Sequence, residues 1–169
     1  MRPSSDRNLR LGEVSSRPLD RIVVGVDFTE SSLAVAQWVG RYLSGAALTL
    51  VHVIAPPPMP NAFRRHATPA RTPDGAVRSR VRSLTGALRG LAGVIGGGRV
   101  DVEVRVGDPG PELNAYAAAV DADLIVVGGN AVFRGAPRVD ARATERVLRG
   151  LTRPLLIARY YVATQASVA

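Results

Sequence analysis

Apolar residues fall along this chain in two periods. Five short runs rich in β-branched side chains have strand length: "RIVVGV" from Arg21, "ALTLVHVI" from Ala47, "VDVEVRV" from Val100, "DLIVVG" from Asp123 and "PLLIAR" from Pro154. Between them, apolar positions recur at helical spacing. The first set is Val35, Trp38, Val39, Tyr42 and Leu43, and the second is Val77, Val81, Leu84, Leu88, Leu91 and Ile95. Leu113, Tyr116, Ala117 and Val120 form a third set, and Ala143, Val147 and Leu151 a shorter fourth. Each connection is too long for a hairpin, which predicts parallel strands with helices on both faces, a doubly wound α/β domain. In the third run Val100, Val102, Val104 and Val106 alternate with Asp101, Glu103 and Arg105, a half-wet pattern that predicts an edge strand.

Two regions fall outside this plan. The opening "MRPSSDRNLRLGEVSSRPLD" reads as a polar tail, and "APPPMPNAFRRHATPARTPDG" from Ala55 as a proline-punctuated insert, extended or disordered. No run of about 18 apolar residues occurs, and the first twenty positions lack the apolar stretch of a secretory signal, so a soluble, cytoplasmic chain without membrane contact is expected. At 169 residues, one core is expected.

Composition narrows the chemistry. The chain has no cysteine, which removes disulfides, thiolate metal sites and a cysteine nucleophile. It has no lysine either, so a Walker lysine, a Schiff base and a serine–lysine dyad are excluded. All 22 cationic side chains are arginine, most simply a coding bias. The net charge of +8 is uneven: residues 55–99 hold eight arginines against one aspartate, leaving the rest nearly neutral. That describes one decorated segment on an ordinary domain, not a uniformly basic nucleic-acid binder.

In an open parallel sheet, ligands sit beyond the carboxyl ends of the strands, where the strand order reverses. Three loops qualify: "DFTESS" after the first strand, the end of the second strand near Val53, and the loop entered through Val127, Gly128, Gly129 and Asn130. Asp27 could accept from a ribose hydroxyl or help hold a metal; equally, a carboxylate at that spot could cap the next helix. His52 lies within an apolar strand and reads as a satisfied core or subsurface histidine, while His66 falls in the insert. With no G-x-S-x-G elbow, no H-E-x-x-H and no metal-ligand cluster, neither catalytic residues nor a metal site is assigned and no turnover enzyme is expected.

Taken in order, "RIVVGVDFTESSLAVAQWV", "LTLVHVI", "VRVGDPGPELNAYAAAVDADLIVVGGN" and "TERVLRGLTRPLLIAR" resemble the universal stress protein family over residues 19–159. The "GDP" turn at Gly107, Asp108 and Pro109, followed by a short helix and "ADLIVVG", is the most telling piece. The resemblance implies a Rossmann-like, adenine nucleotide alpha hydrolase-like domain over 19–160, with tails at 1–18 and 161–169 and the insert at 55–73. It implies a five-stranded parallel sheet in the order 3-2-1-4-5, and a homodimer formed by pairing the last strands. It also implies a regulatory stress-response binding module with an unknown protein partner. In ATP-binding members of the family, the residue matching Asp27 lies near the ribose, backbone near Val53 meets the adenine, and a glycine loop takes the phosphates. That loop carries a glycine, two residues, a second glycine, nine residues, then glycine and serine or threonine. The corresponding positions here are Gly128, Ala131, Ala141 and Arg142, with Asn130 and Ala143 beside them.

Each departure has a physical meaning. Glycine lets backbone amides approach phosphate oxygens, often at positive φ, where alanine costs on the order of 1–2 kcal/mol. A hydroxyl at a helix start caps it and donates to phosphate; arginine cannot cap. Ordinary ATP binding is therefore expected to be lost, with no resident cofactor. Two alternatives stay open. Arg142 could grip a phosphate through its guanidinium and rebuild a site for ATP, with or without magnesium, or for another adenine nucleotide. Alternatively, the segment from Arg64 to Arg89 could be an adaptor surface for an anionic partner. There Arg78, Arg82 and Arg89 oppose the apolar stripe, joined by Arg64, Arg65 and Arg71. Only Phe63 stands near for base stacking, which argues against nucleic acid.

Overall fold

The computed structural model describes residues 18–55, 75–95, 98–128 and 150–158. In chain order the elements are β1 (Arg21–Gly25), α1 (Glu30–Tyr42), β2 (Ala47–Ile54), α2 (Gly75–Ile95), β3 (Val100–Val106), α3 (Pro109–Ala119), β4 (Leu124–Gly128) and β5 (Leu155–Ala158). The five strands form one parallel sheet in the order β3-β2-β1-β4-β5. The half-wet run is β3, and it stands at the sheet margin as its alternation predicts.

Because side chains alternate along a strand, each strand feeds two cores. Ile22, Val24, Leu48, Leu50 and Val126 point to the face covered by α1 and α2, where they meet Val35, Val39, Leu88 and Ile95. Val23, Val51 and Ile125 point to the other face and meet Leu113 and Ala117 of α3. Helices thus cover both faces. Val23, Val24, Ile125 and Val126 are all 1 % exposed or less, as the uninterrupted apolar runs of β1 and β4 require.

Local chemistry sets the helix boundaries. Thr29 holds an extended backbone and its side chain accepts from the Ser32 amide, capping α1; Glu30 in the first turn complements the helix dipole. Pro109 opens α3, where a missing N–H costs nothing. The periodicity of the first helix overreached at two positions: Trp38 is 39 % and Tyr42 63 % exposed. The residues α1 buries are Ser31, Ser32, Val35, Ala36, Val39 and Gly40, mostly small, so the helix lies close to the sheet and the two large rings stay on its flank. There they pack on each other at 5.5 Å, with the Arg41 guanidinium 5.8 Å from the Tyr42 ring. The insert, nearly all of the fourth helical set and the terminal tails lie outside the described residues; Leu151 is described and exposed.

Candidate functional site at the strand-order switch

The strand order reverses between β1 and β4, so the carboxyl ends of these strands border the crevice where an open parallel sheet takes its ligands. Register fixes what gathers there. Gly25 pairs with Val51 on one side and with Val127 on the other, which brings Asp27, Val53 and Gly128 to neighbouring positions at the ends of three adjacent strands. The Val26 amide extends the ladder by donating to the Val51 carbonyl at 2.8 Å. Val53 and Val127 are half-buried against the α3-side core.

Asp27 does not cap α1; Thr29 does. Asp27 instead organises the turn before the helix, its Oδ1 accepting from the Thr29 amide at 2.9 Å and the Thr29 hydroxyl at 2.6 Å. Its own amide donates to the Ser32 hydroxyl oxygen at 3.3 Å. The residue is exposed, yet neighbouring atoms partly desolvate the carboxyl and work against ionisation. Hydrogen bonds from the Ser32 and Thr29 side chains and from backbone amides outweigh this and hold its pKa below the ordinary carboxylate value. The group is a carboxylate at neutral pH with acceptor capacity to spare.

Phe28, next in the chain, adopts φ of 62°, a left-handed conformation that costs a bulky residue of order 1–3 kcal/mol. Its ring packs on His52, centroids 5.0 Å apart. His52 Nδ1 lies 2.7 Å from the Val26 carbonyl oxygen. A carbonyl only accepts, so Nδ1 carries the proton. His52 is the satisfied, half-buried histidine that its position in an apolar strand predicts.

Gly128 has a structural reason to be glycine. A Cβ there would meet Ser32 Cα at 3.2 Å, Ser32 N at 3.3 Å and Ser31 Oγ at 3.4 Å, so the first turn of α1 lies directly against it. Gly25 is similarly confined by Val127 Cγ1 at 3.2 Å and Leu113 Cδ2 at 3.3 Å. The Ser31 hydroxyl, 2 % exposed, has no hydrogen-bond partner among the described residues. It serves the close approach as a small side chain.

One margin of the site is closed by charge. Arg105 pairs in register with Val53, and its Nε donates to Glu112 Oε2 at 2.7 Å, while Nη1 lies 3.6 Å from Glu103 and the guanidinium stands 5.8 Å from the Tyr116 ring. Its charge is matched on the spot. Gly107, at φ of 157°, turns the chain between β3 and α3, and its amide donates to the Ile54 carbonyl at 3.0 Å. Any side chain there would collide with Glu112 Cγ at 2.7 Å. The sequence pattern finds the turn but not the Arg105–Glu112 tie across it.

Of the residues singled out from sequence, Asp27, Val53, Val127 and Gly128 come together; Asn130, Ala131, Ala141, Arg142 and Ala143 lie outside the described residues. Among the described residues, no group of three or more His, Asp or Glu gathers as metal ligands would, and no helix is long and apolar enough to cross a membrane.

Comparison with solved structures returns the same architecture repeatedly. A universal stress protein in complex with cAMP superposes with a TM-score of 0.60 at 22 % identity, over 84 % of this chain and 98 % of its own. UspA from Lactobacillus plantarum gives 0.59 at 20 % identity, over 85 % and 99 %. A family protein from Arabidopsis thaliana with AMP bound gives 0.55 at 15 % identity, over 88 % and 97 %. No curated protein matches in sequence. The model of the universal stress protein family matches residues 18–159, which contain every strand and helix described above. By that match, and by a sheet ordered as the family orders it, the chain belongs to the universal stress protein family.

Proposed function

We propose that this chain is a regulatory stress-response binding module whose crevice keeps the adenosine-facing half of a nucleotide site and has given up the triphosphate-cradling half. The observation that carries the reading is the division of the site. Asp27, ionised and with lone pairs to spare, stands in register beside Val53 and Gly128 at the switch point. The loop beyond has Ala131, Ala141 and Arg142 where ATP-binding relatives of the pattern set glycine, glycine and a hydroxyl. Gly128 itself is explained by packing against α1, so its survival says little about phosphate. Two proteins of the same fold hold a single phosphate, one as cAMP and the other as AMP. A ligand with one phosphate asks least of the altered loop. On this reading the protein binds and does not turn over.

Isothermal titration of the nucleotide-stripped protein with adenosine, AMP, cAMP and ATP tests it, beside a variant carrying Ala131→Gly, Ala141→Gly and Arg142→Ser. The expected result is that AMP or cAMP binds at least tenfold more tightly than ATP, and that the variant regains ATP. Should the wild type prefer ATP and the variant weaken it, Arg142 is a phosphate ligand and the site has been rebuilt.

The same reading includes self-association through β5. This strand is the sheet margin on the β4 side, and Leu156 and Ile157 are 37 % and 38 % exposed. An edge that pairs with no further described strand and carries apolar side chains is a template for a second copy.

A further inference from the structure

Helix α2 has two unlike sides. Leu88 and Ile95 are buried, Leu91 and Ala92 pack half-buried against the core, and Val77, Val81 and Leu84 are half-buried on the same side. The opposite side is exposed and falls into three parallel strips. Ser79, Ser83, Gly86, Gly90 and Gly93 recur at spacings of four and three, which aligns them along the axis. A Cβ built at Gly86, Gly90 or Gly93 would meet nothing within 4 Å. Arg78, Arg82 and Arg89 run along one flank of this strip, and Ala76, Arg80, Ala87 and Val94 along the other. Val94 is 68 % exposed.

Two features of this face lack a reason among the described residues. Glycine on an exposed helix surface weakens the helix relative to alanine, and no neighbour among the described residues requires its small size. The arginines are also unmatched. Arg21, Arg99, Arg105 and Arg153 each face a carboxylate at 2.7 to 3.9 Å, whereas Arg78, Arg82 and Arg89 form no ion pair among the described residues, and α2 contains no acidic side chain. A low strip bordered by three cations on one side, and by small apolar groups with the single cation Arg80 on the other, is complementary to an amphipathic helix of opposite charge.

We propose that this face of α2 docks an acidic amphipathic helix of a partner protein. The partner's backbone approaches over the Gly86–Gly90–Gly93 strip, its small apolar side chains cover Ala87 and Val94, and its carboxylates meet Arg78, Arg82 and Arg89. The arginine spacings of four and seven place three charges along roughly 16 Å of axis at about 1.5 Å per residue, the repeat of one helix face. A nucleic-acid duplex fits less well, since three of the four cations stand on one flank and no aromatic ring stands on this face. A bilayer fits less well too, because Val94 is the one large apolar side chain on offer.

The test is fluorescence anisotropy on the full chain with a labelled, alanine-rich helical peptide carrying glutamates at spacings of four and seven, beside a peptide of the same composition in scrambled order. The helical probe is expected to bind at least tenfold more tightly than the scrambled one. Arg82→Glu with Arg89→Glu should remove that binding. Gly90→Leu, which fills the strip while raising helix propensity, should weaken it at least tenfold, and Gly90→Ala should retain it; thermal melts confirm that each variant is folded. Equal binding of the two peptides, or indifference to Gly90→Leu, would overturn the proposal. So would absence of peptide binding, whether or not a 20-base-pair duplex or phosphatidylglycerol vesicles bind through the same arginines.

Discussion

Asp27 carries a consequence that pH exposes. Its folded-state pKa lies below the ordinary value of about 4, so the ionised form is favoured by folding. That stabilisation is fully present above the unfolded pKa and is lost as pH falls through the lowered folded one. In thermal melts, Asp27→Asn should therefore be less stable than wild type at pH 7, and the gap should close progressively below about pH 4. A gap that stays constant down to pH 2 would mean that the carboxylate's charge contributes nothing. Gly128 offers a second test at this scale. A methyl group there meets the backbone of α1 rather than a flexible side chain, and overpacking of that kind costs about 1–3 kcal/mol. Urea denaturation of Gly128→Ala should show a loss in that range without any ligand present. An unchanged midpoint would return Gly128 to the list of residues kept for binding.

Between residue and fold, the turn that launches α1 depends on Thr29, whose hydroxyl donates to Asp27 while its oxygen accepts from Ser32. Thr29→Ala removes both roles and should cost about 1 kcal/mol or somewhat more, measured as a shift in the urea midpoint. This turn also marks how far the sequence could be read. Uninterrupted apolar runs announce β1 and β4 as central strands, and the alternation in β3 announces a margin, because burial on two faces or one leaves different patterns. Asp27 resisted a single reading because a capping carboxylate and a ligand-facing one call for the same residue at the same place. Only in the folded turn does Thr29 declare itself the cap. Periodicity likewise gives the direction of α1's apolar face but not its depth: Trp38 and Tyr42 share the helical spacing yet stay on the flank, because small residues fill the contact with the sheet. Nothing in the composition around Phe28 marks its left-handed backbone, and the Arg105–Glu112 tie crosses a turn that no helical or strand period spans.

For the whole molecule, the exposed β5 margin gives the expectation that is simplest to check. If a second copy adds to that edge, Ile157→Arg should convert a dimer to a monomer in sedimentation equilibrium while leaving the circular dichroism spectrum intact. A wild type that sediments as a monomer at every concentration would remove the edge from consideration. The strand at the other extreme of protection, β1, has a different history. Its pairing with β2 closes over 26 residues, Arg21 against Ala47, but its second ladder waits for β4, where Ile22 meets Leu124 about a hundred positions later. The Asp123 carboxylate completes that closure by accepting from the amides of Asp20 and Arg21, each at 2.9 Å. The central strand thus precedes both of its neighbours in the chain, and its second side is occupied only after β2 and β3 have followed. Until β4 has been synthesised, β1 is itself an open edge, and a chain that stalls before it presents a strand whose Ile22, Val23 and Val24 are built for burial to whatever lies nearby.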